Sequence, residues 1–538
     1  MNDPKQRDRH LASLTADAVS GKISRRRFME GSIAAGLTLT AASSLWSTGV
    51  QAATPQRGGT YRVGWHDGNT TDKLDPATTE GVFMIQMNHT MRNFLTEITP
   101  TNQIGPDISE SWTASPDAST WTFKLREGVE FHNGKKFTAV DAKDSLNYHR
   151  NPDNASAAKP LLADVKDIRT DGDYTLIVEM NSGNADLPYV MSDYHLVMMP
   201  SDGEGNVDKD SGIGTGPYKI DHFEPGVRAE MSRNDNYFKA DRAWFDSVDA
   251  LTLNDGNARQ SALITDEVDA ISDVDLKTVG LLARRPGIEI DEVPSGAHVT
   301  MPMFCDTPPF DNVDVRLALK YGMDRDALIS KILRGRGTVG NDHPIGESLP
   351  YWADLEQRQY DPDRAKHHLK KAGMENLRVE LSSAETVMAG AVDMAVLYAE
   401  SAKAAGIDVV VKREPNDGYW SNVWLVKPFV TVSWGARPTP DVMFTLAYKA
   451  GAPWNESRWD NPRFNELLLQ AKGELDDDKR ADQYREMQQI CRDDGGTIVP
   501  FFRNRVMARN ERVQHGPNIS GNWELDGARS AERWWFAS

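Results

Sequence analysis

Apolar and polar residues alternate over 58–65, Gly-Gly-Thr-Tyr-Arg-Val-Gly-Trp, and this period of two predicts a first strand that runs into a polar loop at 67–71. Residues 81–96 change to helical spacing. Residues 121–126, Trp-Thr-Phe-Lys-Leu-Arg, return to strict alternation and predict a strand closed by Glu127-Gly128. Asn133-Gly134 marks a turn, and Thr138 stands where it can N-cap a helix that begins near Ala139. Short strands and helices alternate from there on. A strand is expected at 173–180, a tight turn at 214–218, and one long amphipathic helix over 314–333. Helices over 361–372 and 387–405 are stopped by Gly373 and Gly406, and a strand follows at 407–412. A last long helix is expected near 479–491, ended by Gly495-Gly496, with strands dominating to the C-terminus. There is no internal repeat and no low-complexity tract.

The N-terminus breaks this pattern. Ser24-Arg25-Arg26-Arg27-Phe28-Met29 precedes an uncharged stretch over 31–50, which reads as a twin-arginine export signal with a cleavage site at Val50-Gln51-Ala52. Gly31, Gly36, Gly49 and several Ser and Thr make the stretch weakly apolar for a bilayer span, and no basic flank follows it. Neither Cys305 nor Cys491 lies near the cleavage site, so a lipid tether is not expected. The expected product is exported by the twin-arginine machinery, soluble, periplasmic and not lipid-anchored.

Length and charge narrow the partners. A chain of 538 residues calls for two or more lobes. The formal net charge is −18, and the basic signal region leaves the mature chain near −21. That balance argues against nucleic acid and anionic membrane as partners. The two cysteines read as buried, unpaired thiols, and no CxxC or His-rich spacing suggests a metal. HExxH, Walker A, GxSxG and GxGxxG motifs are all absent, and no pair of carboxylates is spaced as acid and base. Adjacent His367 and His368 cannot both face one metal from a helix and read as surface residues. No enzyme activity, cofactor or metal is expected.

A series of short motifs then runs in order along the mature chain. They are Pro106-Asp107-Ile108-Ser109-Glu110-Ser111-Trp112, the Trp121–Lys135 hairpin and Phe137-Thr138-Ala139-Val140-Asp141. Gly214-Thr215-Gly216-Pro217-Tyr218, Pro308-Pro309-Phe310-Asp311, Val315-Arg316-Leu317-Ala318, Asp324-Arg325 and the Tyr360-Asp361-Pro362 helix ending at Gly373 follow. Together they resemble family 5 of the extracellular solute-binding proteins, the dipeptide and oligopeptide receptors of ABC importers. Each motif is architectural and says little about ligand. The resemblance implies a two-lobed α/β periplasmic-binding-protein fold, class II-like, with an extra domain in lobe 1 and the ligand in the interlobe cleft. It places lobe 1 at 53–96, 195–298 and 500–538, the added domain at 97–194 and lobe 2 at 299–499, after a signal at 1–52. It implies a monomer that takes a small molecule or peptide and hands it to an ABC permease. An opine, an oligosaccharide, another zwitterionic or anionic solute, or a sensor role stays open, since fold does not decide ligand.

The chain departs from the peptide receptors where they carry a Trp-x-x-Asp element whose Asp meets the ligand's amine. Here the stretch is Trp434-Gly435-Ala436-Arg437. A guanidinium repels an ammonium and suits a carboxylate or phosphate. Dipeptide receptors place an Arg on the ligand carboxylate where an ungapped reading puts Glu385. A zwitterion lying reversed, with its carboxylate on Arg437 and its amine on Glu385, is one expectation; a direct Glu385–Arg437 pair is the other. Tyr419, Trp420, Trp424, Trp434 and Trp454 cluster in the same region, and Trp434 and Trp454 are the expected cleft walls. From the first lobe, the loop after the first strand offers Asn69 and Thr70. The candidate ligand-binding set is therefore Arg437, Trp434, Gly435, Glu385, Trp454, Asn69 and Thr70.

Overall fold

The computed structural model describes residues 11, 14, 25–35 and 55–537, apart from 80, 155, 417 and 418. Arg25–Ala34 is helical. The rest of the export-signal reading, including the cleavage site at 50–52, lies outside the described residues.

The first strand, Thr60–Trp65, sits inside a seven-stranded sheet. Its neighbours Ser247–Thr252 and Ala270–Ile271 run parallel to it. Arg228–Arg233 and Tyr218–Glu224 extend one side, and Arg505–Asn510 and Ile288–Val293 the other, all by antiparallel pairing. Alternation sends Tyr61, Val63 and Trp65 to one buried face, where they join Phe83, Met84 and Met87 of the helix Gly81–Met91. That helix ends before the strand Thr96–Ile98, so the helical spacing expected through residue 96 stops a turn early.

A smaller four-stranded antiparallel sheet carries Ser109–Ala114, Thr120–Leu125, Thr175–Met180 and Val165–Thr170, in that order. Trp121, Phe123 and Leu125 face inward with Leu176, Val178 and Met180, as the alternation requires. The helix Ala139–Arg150 packs against this sheet. Thr138 stands at its N-cap, as expected, and Asp141 Oδ2 accepts from Thr138 N at 2.9 Å.

The second lobe is built on Gly337–Val339, Phe501–Arg503, His298–Pro302 and Val432–Trp434, paired in that order, with Thr497–Ile498 against the same His298–Pro302 strand. Beside them Leu377–Ser383 and Ile407–Arg413 pair in parallel, connected by the helix Ala391–Lys403. The long helix expected over 314–333 is two helices, Val313–Tyr321 and Arg325–Lys331. The break falls at Gly322, packed close to Ile407 and Ala402, and Asp324 then caps the second helix by accepting from Ala327 N at 2.9 Å. The helix expected from 387 begins at Ala391, because Gly390 stands at φ 83° and Glu385 Oε2 accepts its N–H at 2.7 Å. The strands expected near the C-terminus give way to helical turns, Glu524–Ala528 and Ser530–Arg533. Leu525, Asp526 and Gly527 there adopt left-handed φ values, a conformation that leaves no periodic trace in sequence.

The lobes are joined by two short crossings that lie side by side. Outward, the strand Ile288–Val293 of the first sheet passes through 294–297 into His298–Pro302 of the second. Inward, Phe501–Arg503 passes through Asn504 alone into Arg505–Asn510. Ser295 Oγ donates to Arg503 O at 2.7 Å, and Arg503 N donates to Ala297 O at 2.7 Å.

The small sheet is fastened to the first lobe by buried charge. Lys239 Nζ lies 2.9 Å from Glu97, 2.8 Å from Asp107 and 3.1 Å from Glu532. Arg529 meets the same three carboxylates at 3.3, 3.3 and 2.7 Å. Arg533 pairs with Asp526 at 3.1 Å. Burial pushes the Glu97 carboxyl up, but Lys239, Arg529 and Arg533 outweigh it and hold it down at about 2. Glu532 is held well below the usual carboxylate range by the same cations against the same burial. A carboxylate depressed in the folded state adds stability above its unfolded value, near 4.5, and that share is lost as pH falls through about 2. Replacing Lys239 by Met leaves buried carboxylates short of a partner. It is expected to cost about 3–5 kcal/mol, read as a lower first unfolding transition in urea at pH 7, with the deficit shrinking as the pH approaches 2.

Candidate functional site

Between the lobes, at the crossings, lies a cavity of about 500 Å³. His66, Asn254 and Asp273 through Lys277 line it from the first lobe, and Ile332, Leu333, Met388 and Ala389 from the second. Ser295, Ala297 and Arg503 through Val506 line it from the crossings themselves. A much narrower gap of about 20 Å³ lies at Gly296, where Ile98, Asn102 and Gly521 face Leu349, Ala436 and Pro438. The lobes also touch away from the crossings. Asp186 of the small sheet's domain pairs with Arg480 of the second lobe at 2.6 Å and accepts from Thr439 Oγ1, and Ala185 N donates to Lys472 O at 2.7 Å. Asp441, buried beside Asp186, has its carboxyl pushed up to about 7 by burial and then by that neighbouring charge.

Trp434 ends the strand Val432–Trp434, and its register places it opposite His298. Its ring centroid is 6.0 Å from Trp454 and 6.4 Å from Trp424; Trp424 and Trp454 are 6.1 Å apart. Trp434 is buried, whereas Trp454 is 42% exposed and Trp420, 6.0 Å from Trp424, is 43% exposed. Beneath the indoles lies Glu456. Trp424 Nε1 donates to it at 3.0 Å, Trp434 Nε1 at 3.2 Å and Thr300 Oγ1 at 2.6 Å. Burial pushes this carboxyl up to about 7 despite those three donors. Two indoles are thus pinned by their N–H groups, which fixes the directions in which their faces point.

Arg437 follows three residues after Trp434. Its guanidinium carbon stands 5.7 Å from the Trp434 ring centroid, and Nη1 donates to the carbonyls of Gly435 at 3.2 Å and Ala436 at 3.1 Å. Among the described residues no acidic side chain comes within 4 Å of it. Burial lowers its pKa, and Tyr194 and Asp193 of the first lobe partly offset that. The site therefore presents a desolvated cation on an aromatic wall, facing the opposite lobe.

Trp434, Gly435, Arg437 and Trp454 are brought together. Gly435 is exposed, and a Cβ there would meet Arg437 Nη1 at 3.5 Å, an ordinary contact. Glu385 forms no ion pair with Arg437; its carboxylate holds Gly390 N, close in sequence to Met388 and Ala389 of the cavity wall. Asn69 and Thr70 are exposed, and their backbone packs on Gly226 in the hairpin joining Tyr218–Glu224 to Arg228–Arg233. A Cβ at Gly226 would lie 2.7 Å from Asn69 C and Thr70 N, so glycine is required there. His66, just before that loop, does line the cavity and donates to or accepts from Ser272 Oγ at 2.9 Å. Glu456 and Arg503 escape sequence reasoning. Glu456 stands two residues after Trp454, its one available signal; Arg503 carries none.

Cys305 and Cys491 are both free thiols, Cys491 buried and Cys305 half-buried. Among the described residues no helix is long and apolar enough to cross a membrane.

Residues 103–456 match the family described as bacterial extracellular solute-binding proteins, family 5 Middle. The chain is 28% identical over 272 residues to the glutathione-binding protein GsiB of Pectobacterium atrosepticum, an alignment that spans 50% of this chain and 53% of that protein. It is 23% identical over 434 residues to GsiB of Salmonella paratyphi A, spanning 77% and 83%. The fold is similar to the ABC transporter-associated periplasmic binding protein DppA from Helicobacter pylori in complex with peptide STSA. That match has a TM-score of 0.71 and 22% identity, and covers 90% of this chain and 99% of that one. With two lobes, paired crossings, an interlobe cavity and a family match over well more than half its length, the chain belongs to family 5 of the bacterial extracellular solute-binding proteins and is the substrate-binding component of an ABC importer.

Proposed function

We propose that this receptor captures a peptide or peptide-like solute by its carboxylate, with Arg437 as the counter-charge, and passes it unchanged to a membrane permease. One observation carries the reading: Arg437 is a partly buried guanidinium with no acidic partner among the described residues, set on the Trp434 ring beside the interlobe gap. Desolvating a cation without a counter-ion is costly, and an incoming carboxylate offsets that cost with charge-assisted hydrogen bonds. Trp434 and Trp454 supply flat apolar area next to it. The relatives named as glutathione-binding and the neighbour bound to peptide STSA support a ligand of this class. The strongly acidic mature chain gives no general attraction for anions, so capture depends on the local cation. Arg25-Arg26 supports export of the folded protein by the twin-arginine route.

Native mass spectrometry of the purified protein is expected to reveal a retained compound of intact mass that carries a carboxylate. Solution scattering is expected to show the protein stripped of that compound becoming more compact when it is restored. A retained compound without an acidic group, or one released in cleaved form, overturns the reading. Arg437→Met is expected to weaken binding of the retained compound about 10- to 100-fold, the worth of about 1.5–3 kcal/mol for a charge-assisted hydrogen bond. Isothermal titration calorimetry checks it, and unchanged affinity counts against the role of Arg437.

A further inference from the structure

We propose that Asp186, Thr439, Asp441 and Arg480 form a proton-dependent latch: the lobes join with Asp441 neutral and part when it ionises, so that capture of a solute takes up a proton. The inference rests on the reading of the two lobes as a clamp that closes on a solute, and adds its regulation.

The cluster lies on the seam between the lobes. Ala436 and Pro438 line the narrow gap at Gly296, and Thr439 is the next residue along. Thr439 Oγ1 donates to Asp186 Oδ2, and Arg480 Nη2 stands 2.6 Å from Asp186 Oδ1. Among the described residues the Asp186 carboxylate thus finds both its partners across the seam. The backbones close up beside it: Ala185 N donates to Lys472 O at 2.7 Å, and a Cβ at Gly183 would lie 3.4 Å from Gly473 Cα. Arg480 is anchored in its own lobe, where Nε donates to Ala471 O at 3.0 Å and Nη2 to Tyr484 Oη at 3.2 Å. The second lobe therefore presents a fixed cation to a carboxylate that arrives with the first.

A second carboxylate shares this place. Asp441, the second residue of the helix Pro440–Ala447, is buried. Among the described residues its carboxyl has no ion pair within 4 Å and no hydrogen bond, and Oδ1 is buried without a partner. Asp186 acts on it from across the seam and disfavours its charge. Lys472 on Pro462–Gly473, Arg480 on Asp477–Asp494 and Lys449 beyond its own helix favour it. Tyr484, beside Arg480, stays neutral, because burial and both carboxylates hold its hydroxyl well above the usual range. None of the cations is free for Asp441: Arg480 serves Asp186, Lys472 lies 3.5 Å from Asp164, and Lys449 is exposed. Burial and then Asp186 prevail, and the Asp441 carboxyl stands at about 7.

Such a carboxylate escapes its cost by taking a proton or by returning to water. The first leaves the seam shut. The second parts the lobes, and Asp441 then regains an ordinary carboxylate value, near 3.8. The value is raised in the joined state, so the proton favours joined lobes below about 7, and that share is lost as pH rises through 7. Between pH 8 and pH 6 the joining constant rises about tenfold. A tenfold change carries two states of similar energy from about one quarter joined to about three quarters. Asp441 follows Arg437 by four residues, so one short stretch carries both the solute's counter-charge and the latch.

The test is solution scattering on the full protein stripped of bound solute, at pH 6 and pH 8 and at fixed salt. Wild type is expected to be more compact at pH 6, and Asp441→Asn, which keeps the position neutral, equally compact at both. Asp441→Ala is expected to match Asp441→Asn, and circular dichroism checks that both variants are folded. Calorimetry with glutathione and with the peptide Ser-Thr-Ser-Ala reads the coupling. Wild type is expected to bind about tenfold tighter at pH 6 than at pH 8, and to take up about half a proton at pH 7, measured in buffers of unlike ionisation enthalpy. Asp441→Asn is expected to show neither effect. If wild type is as compact at pH 8 as at pH 6, or the variants keep its pH dependence, the latch is overturned while peptide capture stands. If compaction follows pH in wild type alone and neither compound binds, the latch stands and the peptide reading does not.

Discussion

The two crossings set what this molecule can do. Because 294–297 and Asn504 pass between the lobes side by side, one lobe can rotate against the other by changing a few backbone angles, without parting any sheet. Each crossing strand pairs within one sheet before it and within the other after it, so both lobes stay rigid up to the crossing itself. The cavity opens where those strands change sheets. Side chains there gain an unusual position: Arg503 is held by strand pairing on one side and faces the interlobe space on the other.

Elsewhere the protein matches its buried charges with care. Asp342 is enclosed by Arg325 at 2.6 Å and Arg358 at 2.8 Å. Lys239, Arg529 and Arg533 meet four carboxylates. Buried cations without a carboxylate in range turn to carbonyls instead: Arg92 to Leu74 and Lys209, Lys320 to Cys491 and Arg492. Removing one partner from such a set leaves a charge whose desolvation is not compensated, which explains why the sets are complete. Against this background Arg437, with two carbonyls on one nitrogen, and Arg503, with none, stand out as groups whose chemistry is unfinished in the protein alone.

The sequence made the elements with strong alternation legible. Strand Thr120–Leu125 and helix Pro362–Lys371 fall within a residue or so of their expected places, since inward and outward positions differ sharply there. The Trp434–Arg437 stretch was legible too, because a charge reversal in a recognisable element is a local property of the chain. Three things were not. One helical pattern is split at Gly322, which packs beside Ile407 and Ala402 from far along the chain, and restarts after the Asp324 cap. The left-handed turn at 525–527 leaves no period. Glu456 and Arg503 matter for what surrounds them, and a missing partner is a tertiary property that no local pattern encodes. Asn69 and Thr70 illustrate the converse: they follow the first strand, as a cleft loop would, but the chain turns at His66 and carries them onto the Gly226 hairpin.

The contact at Asp186 bears on how much a ligand must contribute to closure. Asp186 and Arg480 are almost fully buried, and the pair bridges the small sheet's domain and the second lobe. Separation of the lobes here would return both charges to water, regaining solvation as it forfeits their attraction, so the net preference for closure is far smaller than the short distance suggests. The adjacent Asp441 works against closure when ionised, because Asp186 repels it and burial disfavours its charge. The Ala185–Lys472 backbone bond adds a modest, geometry-demanding increment. With these terms opposing one another, the balance between separated and joined lobes is set within reach of a single solute.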